Sequence, residues 1–477
     1  MNNHLLFPLL LLVCATASAE PAASPTPSPA ASPAASPSAS PAAKPAAKRT
    51  AKPASKPAVD RLITLEQAYD MTLVSDQTIR TAYYEIRKAN LLPWGALAKL
   101  GPQLVGNASY TNSRNNSHLD TVTTTSSSGQ SVYDTRFSGF TYTQPIFDPS
   151  VFPAYRYGKL SAKATRLQYQ YTVRQTLFGV AQAYYNVLKD QKLVEVNQQT
   201  VDLANEQLAT SQAKFDAGAV ARIDVLRAKS TLEGARNTLI QSQGTLDTAK
   251  DTLSNILNLG GKTNFTLAEP PDETDLGIPF EASLHDAYEG REDFKVSAIG
   301  VEQKIALKGE VLAEYGPKLT AQASTQWSNT SGDGAGRTHD EAAVIAVSMP
   351  FLTGGQRELD LISANQTIAQ ARLALETASK TVEADVKTAW ISVETGREAL
   401  KALRAEVDAA TQNYTDLEAQ YQAGAATSLD AQTALRDLNN SRTLLTNQIY
   451  DYQIALRDLK RAEANFQKQR VEKSKVQ

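Results

Sequence analysis

Two short segments of the chain carry the same chemically distinctive residues. Residues 214–229 read KFDAGAVARIDVLRAK, and residues 420–435 read QYQAGAATSLDAQTAL. In each, an aromatic (Phe215, Tyr421) precedes a glycine (Gly218, Gly424) by three positions, and an aspartate (Asp224, Asp430) follows six positions after the glycine. The two glycines are 206 positions apart, and so are the two aspartates. Glycine enters the left-handed backbone region without steric cost, so each copy predicts a sharp turn. An aspartate in the first turn of the next helix favours the helix macrodipole, and Thr427-x-x-Asp430 has the form of a capping box. A spacing of 206 far exceeds a solenoid unit of about 20–50 residues. The chain therefore reads as a duplicated half-protein, whose function is built by two similar halves together.

Other chemistry is sparse. His118, His285 and His339 are scattered, and His4 lies near the N-terminus. No H-E-x-x-H or paired metal-ligand spacing occurs. Gly261-Lys262-Thr263 matches the end of a phosphate-binding loop, but Ile256 stands where that motif requires glycine. Gly260-Gly261 is better read as a helix stop. These residues predict no catalytic site, no metal and no cofactor. The net charge of −2 argues against a nucleic-acid partner.

The elements that would position the two segments recur in the same order. Leu65-x-x-Ala68-Tyr69 matches Leu284-x-x-Ala287-Tyr288, and Gly101-Pro102-Gln103-Leu104 matches Gly316-Pro317-Lys318-Leu319. Pro145-Ile146-Phe147 matches Pro350-Phe351-Leu352, and Ala183-Tyr184 matches Ala389-Trp390. Residues 157–213 and 356–420 lack proline and are poor in glycine, with Gly158 and Gly179 in the first and Gly396 in the second. At 1.5 Å per residue the first of these would be a helix roughly 85 Å long, longer than a small domain is wide. Residues 225–258 and 427–470 are similar. Leu232, Leu239, Leu246 and Leu253 recur every seven residues, with Ala235, Ser242, Ala249 and Ile256 at the +3 positions. Leu438, Leu445, Tyr452 and Leu459 repeat that seam. Heptads of this kind favour left-handed side-by-side pairing of long helices.

Matching strands interrupt the helices. After Pro102, Leu104, Gly106, Ala108 and Tyr110 alternate with Gln103, Val105, Asn107 and Ser109. A Ser/Thr/Asn-rich stretch at 111–131 reads as a loop, and 133–147 reads as a second strand. After Pro317, Leu319, Ala321, Ala323, Thr325 and Trp327 alternate with polar residues. The Gly-rich 331–337 then leads to Ala343, Ile345, Val347 and Met349. Pro102 and Pro317 at the starts, and Pro145 and Pro350 at the ends, mark strand–helix junctions. Strands of about 9–11 residues can cross a bilayer. Four strands cannot close a barrel, and an open edge in lipid leaves backbone groups unsatisfied. Membrane-crossing strands therefore require several copies to share one barrel, and three copies give twelve strands. A soluble periplasmic coiled-coil adaptor or scaffold is the competing reading; it explains the helices but not the symmetric hairpins.

The divisions expected are a signal peptide at 1–19 and a Pro/Ala/Ser-rich disordered linker at 20–58. A first repeat at 59–275 (hairpin 102–147) and a second at 276–470 (hairpin 317–352) follow, with a tail at 471–477. The signal is read from the apolar run Leu5–Val13 and the Ala17-Ser18-Ala19 cleavage pattern. Cys14, the one cysteine, faintly suggests a lipoprotein site, but Val13 is large for the position before a lipidated cysteine. Cleavage after Ala19 would leave no cysteine.

Over about residues 60–470, the duplicated helix–hairpin–helix order, the paired turn segments and the Pro-bounded hairpins resemble the TolC family of outer-membrane efflux proteins. The resemblance implies a mainly α chain with a β-barrel portion. Its homotrimer would share a twelve-stranded outer-membrane barrel in lipid, with long antiparallel helices forming a periplasmic α-barrel. It implies an exit duct for efflux or type I secretion, working with a periplasmic adaptor (membrane fusion) protein and an inner-membrane transporter. It places the turns Gly218-Ala219-Val220 and Gly424-Ala425-Ala426 at the periplasmic tip, where partners dock. There Asp430 falls on a ring aspartate of the family's gate, and Asp224 and Tyr421 fall on its linkage positions. Ala426 stands at the family's arginine position and Thr433 at a second aspartate position, so the resting lock implied is different or weaker. Arg222 beside the site is the candidate substitute. The gate and helix-cap readings of Asp224 and Asp430 are compatible.

Overall fold

The computed structural model describes residues 61–118, 128–261, 263–271, 277, 279–332 and 335–473. The segments read as a signal peptide and a Pro/Ala/Ser-rich linker, with Cys14, lie outside the described residues. The described chain begins with β1 (Arg61–Ile63), α1 (Leu65–Ser75), α2 (Gln77–Ala89) and α3 (Leu92–Ala98). The hairpin β2 (Gln103–His118) and β3 (Ser128–Phe147) follows, then α4 (Val151–Asp216), α5 (Arg222–Ile256) and β4 (Phe265–Leu267). The second pass runs α6 (Phe280–Gly290), α7 (Glu292–Ala313), β5 (Lys318–Gly332), β6 (Gly336–Ser348), α8 (Gln356–Ala423) and α9 (Ser428–Ala462). It ends in α10 (Lys468–Lys473).

The duplication is visible in local geometry. One residue ends the first short helix and caps the next in both passes, Asp76 (φ −67°, ψ 130°) and Arg291 (φ −63°, ψ 123°). Ala68 and Ala287, equivalent in the repeat, are both fully buried. α4 has 66 residues and α8 has 68, each about 100 Å long. Their lengths follow from the lack of proline beyond the first turn and from alanine, glutamine and leucine, which lose little entropy in a helix. α5 pairs with α4, and α9 with α8, along the heptad seams. Leu232 and Leu435 meet Val201 and Ala204 in one cluster; Leu456 and Leu459 meet Val382, Val386 and Val393 in another.

The largest core surrounds a waist where both passes meet. The parallel pair β1–β4, which sequence patterning missed, docks there on α4. The Tyr184 hydroxyl donates toward the carbonyls of Ile63 (2.8 Å) and Ala268 (2.5 Å). Three-residue strands fall below the length at which alternation can be read. Nearby, the buried Arg174 of α4 grips Glu292 of α7 in two hydrogen bonds (2.5 and 3.3 Å) and donates to the carbonyls of Ala464 and Phe466. A lone charge here would be costly; the fork satisfies it with a carboxylate and two carbonyls.

Several boundaries differ from expectation. The stretch 111–131 is mostly strand: β2 runs to His118 and β3 starts at Ser128, leaving 119–127 outside the described residues. Ladder bonds come from the backbone, so Ser, Thr and Asn extend strands freely when their side chains face water. The strands, 16, 20, 15 and 13 residues long, therefore exceed the expected 9–11. Pro145 lies two residues before the end of β3, at a register irregularity opposite Thr320. β2 begins at Gln103, opposite Thr143, so the β2–β3 ladder does not reach Pro145 and the missing N–H interrupts nothing on that side. α5 stops before Gly260: Asn258 takes the left-handed position (φ 54°), and Leu259 N–H bonds Ser254 O at 2.9 Å. The helix expected over 427–470 breaks at Ala464 and Gln467, both at positive φ. α10 then crosses the 470/471 boundary, with Val471 in the core.

Candidate functional site

The four-stranded sheet has the order β2-β3-β5-β6, antiparallel throughout. Among the described residues, β2 and β6 are unpaired on their outer edges. All four strand–helix junctions lie at one end of the sheet. Pro102 and Pro317 stand immediately before β2 and β5, and Pro350 lies two residues after β6. The Pro350 carbonyl accepts from Arg357 Nη1 at 2.8 Å, and the Arg357 guanidinium lies 4.9 Å from the Tyr315 ring centroid. Gly316 touches Pro149 so closely that an added Cβ would sit 2.8 Å from its Cγ. These contacts fix how the sheet meets the helices.

Register sorts the sheet's residues onto two faces. Leu104, Tyr142, Phe140, Trp327, Ile345 and Val347 share one face, and all are exposed. The other face carries Gln103, Asn107, Ser109, Thr141, Thr143, Gln322 and Gln326, with Val105 and Val344 among them. An apolar face backed by a polar one is the pattern of a strand between lipid and a watery lumen. No described helix is long and apolar enough to cross a membrane.

At the far ends of the long helices, α4 turns into α5 and α8 into α9. Gly218 (φ 75°) and Gly424 (φ 81°) take the left-handed position in both turns. Ala219 N–H bonds Lys214 O and Ala425 N–H bonds Gln420 O, each at 2.8 Å, so both helices close by the same motif. Val220 and Ala426 are half-buried, while Ala219 and Ala425 are exposed.

The side chains then diverge. Thr427 caps α9: its hydroxyl donates to Asp430 Oδ2 at 2.6 Å, its N–H donates to the same oxygen at 3.1 Å, and it accepts from Asp430 N–H. The Thr427 hydroxyl, and then its N–H, hold the Asp430 carboxyl below its ordinary pKa. Ala221 caps α5 without a side-chain bond, and Asp224 instead accepts from Ser428 Oγ at 2.6 Å. Arg227 lies 3.7 Å from the same Asp224 oxygen. Tyr421 is buried; its hydroxyl lies 3.0 Å from Ser211 Oγ, and Lys214 Nζ sits 4.0 Å from its ring centroid and bonds its carbonyl. Tyr421 therefore joins α8 to α4 within the chain and bonds neither aspartate. Arg222 is exposed and forms no ion pair with Asp224 or Asp430 among the described residues. Thr433 is half-buried one turn into α9.

Sequence reasoning missed Ser428, Ser211 and Lys214. Ser428 was within reach, because it occupies in the second copy the place of Arg222 in the first. Ser211 and Lys214 carry no repeat signal. Among the described residues no group of histidine, cysteine, aspartate and glutamate forms a metal cage.

The family model described as "Outer membrane efflux protein" matches residues 68–259 and 283–465. The chain is 24% identical over 420 residues to Outer membrane protein TolC of Escherichia coli K12, covering 84% of this chain and 83% of that protein. It is 23% identical over 410 residues to Alkaline protease secretion protein AprF of Pseudomonas aeruginosa, covering 81% and 82% respectively. The fold superposes on the CmeC outer membrane channel of Campylobacter jejuni with a TM-score of 0.69 at 17% identity, covering 86% of this chain and 89% of that one. Sheet, long helical hairpins and relatives together define the class: an outer-membrane channel for efflux or secretion that extends into the periplasm. The chain belongs to the outer membrane efflux protein family, a family of transport proteins.

Proposed function

We propose that three copies join edge to edge, β2 of one beside β6 of the next, into a twelve-stranded barrel. The long helices then form the wall of a periplasmic duct, and the assembly is the exit path of an efflux or type I secretion system. The observation that carries this reading is the sheet itself: four long strands with both edges open and one apolar face. Such edges are tolerable in lipid only when another chain satisfies their backbone groups. A periplasmic adaptor and an inner-membrane transporter are the partners proposed, with docking at Gly218-Ala219-Val220 and Gly424-Ala425-Ala426. The turns are also the proposed gate, through Asp224, Tyr421, Asp430 and Arg222. The test is heat-modifiable migration of a detergent-extracted trimer, with steady single-channel currents in planar bilayers. Fractionation as a soluble monomer overturns the reading. Unchanged closed-state conductance and cation selectivity in Asp430→Ala trimers would remove that residue from the gate.

A further inference from the structure

On the apolar face of the sheet, register places Tyr110, Arg136, Asn329 and Arg337 in one row across β2, β3, β5 and β6. The row lies toward the sheet end away from the helices. From Leu319, near the helices, to Asn329 the strand rises about 33 Å, or about 25 Å along the membrane normal at a tilt of about 40°. That is the height of a barrel's apolar band, so the arginines stand at its outer rim. Arg136 and Arg337 are two strand spacings apart, about 9.6 Å. Both are exposed, and neither is ion-paired among the described residues. The carboxylates of this face are engaged elsewhere: Asp134 accepts from Asn112 Nδ2 at 2.5 Å, and Glu341 lies 3.5 Å from His339.

Immediately below the row, Trp327 stacks flat on His339 (centroids 5.0 Å, 4° between planes) and meets Phe140 edge-on at 6.5 Å. Thr325 Oγ1 holds the His339 ring at 3.0 Å. The result is a planar shelf beneath two unpaired guanidinium groups, above exposed Tyr142, Ile345 and Val347. Guanidinium forks match phosphate oxygens, and a flat aromatic surface accepts the apolar face of a sugar ring.

We propose that this rim docks the phosphorylated sugar headgroup of an outer-leaflet glycolipid. Arg136 and Arg337 hold phosphate, the Trp327–His339 shelf supports the sugar, and the apolar face below receives acyl chains. The inference rests on the membrane-spanning reading of the sheet. A phosphate-bearing lipid without the sugar would use the arginines but leave the shelf idle, so the two lipid classes are separable.

The test uses purified full-length trimer, first checked for single-channel currents. Binding of diphosphoryl lipid A, its monophosphoryl form and phosphatidylglycerol is then titrated by native mass spectrometry. Wild type is expected to prefer the diphosphoryl lipid. Arg136→Gln/Arg337→Gln is expected to bind it about thirtyfold more weakly, a factor of about five per arginine near an anionic surface. Arg80→Gln, on α2, controls for charge alone and is expected to bind as wild type. Equal affinity in the double variant and wild type, or equal binding of phosphatidylglycerol and lipid A, overturns the proposal. Normal currents with either result leave the channel reading standing. Absence of currents overturns the membrane-spanning reading and the rim site with it.

Discussion

The first turn, 215–224, and the second, 421–430, have the same backbone closure around Gly218 and Gly424, yet their equivalent side chains live in different surroundings. Phe215 is 38% exposed, whereas Tyr421 is 2% exposed. Asp224 reaches across to Ser428 of the other turn, whereas Asp430 folds back on its own Thr427. Two differences between the copies account for the aspartates: Thr427 stands where the first copy has Ala221, and Ser428, the partner of Asp224, where it has Arg222. A threonine at the cap position supplies a hydroxyl that captures the carboxylate three residues on, and Ala221 supplies none. The uncapped turn thus keeps a carboxylate for a partner, and the capped turn spends its own on local order. Duplication preserved the geometry that glycine dictates and let the side chains specialise.

That comparison can be broken most forcefully at the aromatics. Tyr421→Ala is expected to destabilise the second turn by about 3–4 kcal/mol, as for a buried aromatic, and Phe215→Ala to cost under about 1 kcal/mol. Hydrogen exchange of the amides at the ends of α8 and α4 reads both, and similar losses would mean the turns are equivalent after all. The caps come next. Thr427→Ala should cost about 1 kcal/mol in exchange protection at the start of α9. The reverse change, Ala221→Thr, should protect the start of α5 while weakening the Ser428 contact. No gain from that reverse change would show that the missing cap is not what frees Asp224.

The link between turns is testable as a coupling. In a double-mutant cycle of Asp224→Asn and Ser428→Ala, an interaction energy of about 1 kcal/mol is expected, and strict additivity would remove the link. The smallest effect is that of pH. The Asp430 carboxyl is held below its unfolded value, so its contribution is complete above the ordinary carboxylate pKa of about 3.9. It is lost as pH falls through the lowered folded value. Amide exchange at 427–430, followed from pH 5 to pH 2, should report this loss, and Thr427→Ala should abolish its pH dependence. A wild-type profile flat across that range would contradict the capping box.

Much of this architecture was legible in the chain. The long helices could be read because helix periodicity and the lack of proline are local properties. The strand starts could be read because Pro102 and Pro317 follow helical stretches, where proline cannot continue a helix, and each opens an alternating pattern. The far ends of the strands were misplaced, since Ser, Thr and Asn mark loops by composition yet sit easily in a ladder whose bonds are all backbone. β1 and β4 escaped because their three residues each gain meaning only beside each other. At the turns, the capping box was spelled out by Thr427 and Asp430. The Tyr421–Ser211–Lys214 contact was not, because it joins residues about 210 positions apart on two helices.

By itself, then, the sequence determined the duplication, the heptad seams, the glycine turns and the family's resemblance. Each depends on spacing along one chain or on the conformational limits of single residues. Tertiary structure alone decided which copy of a repeated residue is buried, which aspartate is captured by its own helix, and which face of the sheet gathers aromatics beneath a row of arginines. Those outcomes depend on which elements lie alongside one another, and two nearly identical segments acquire different neighbours only when the chain folds.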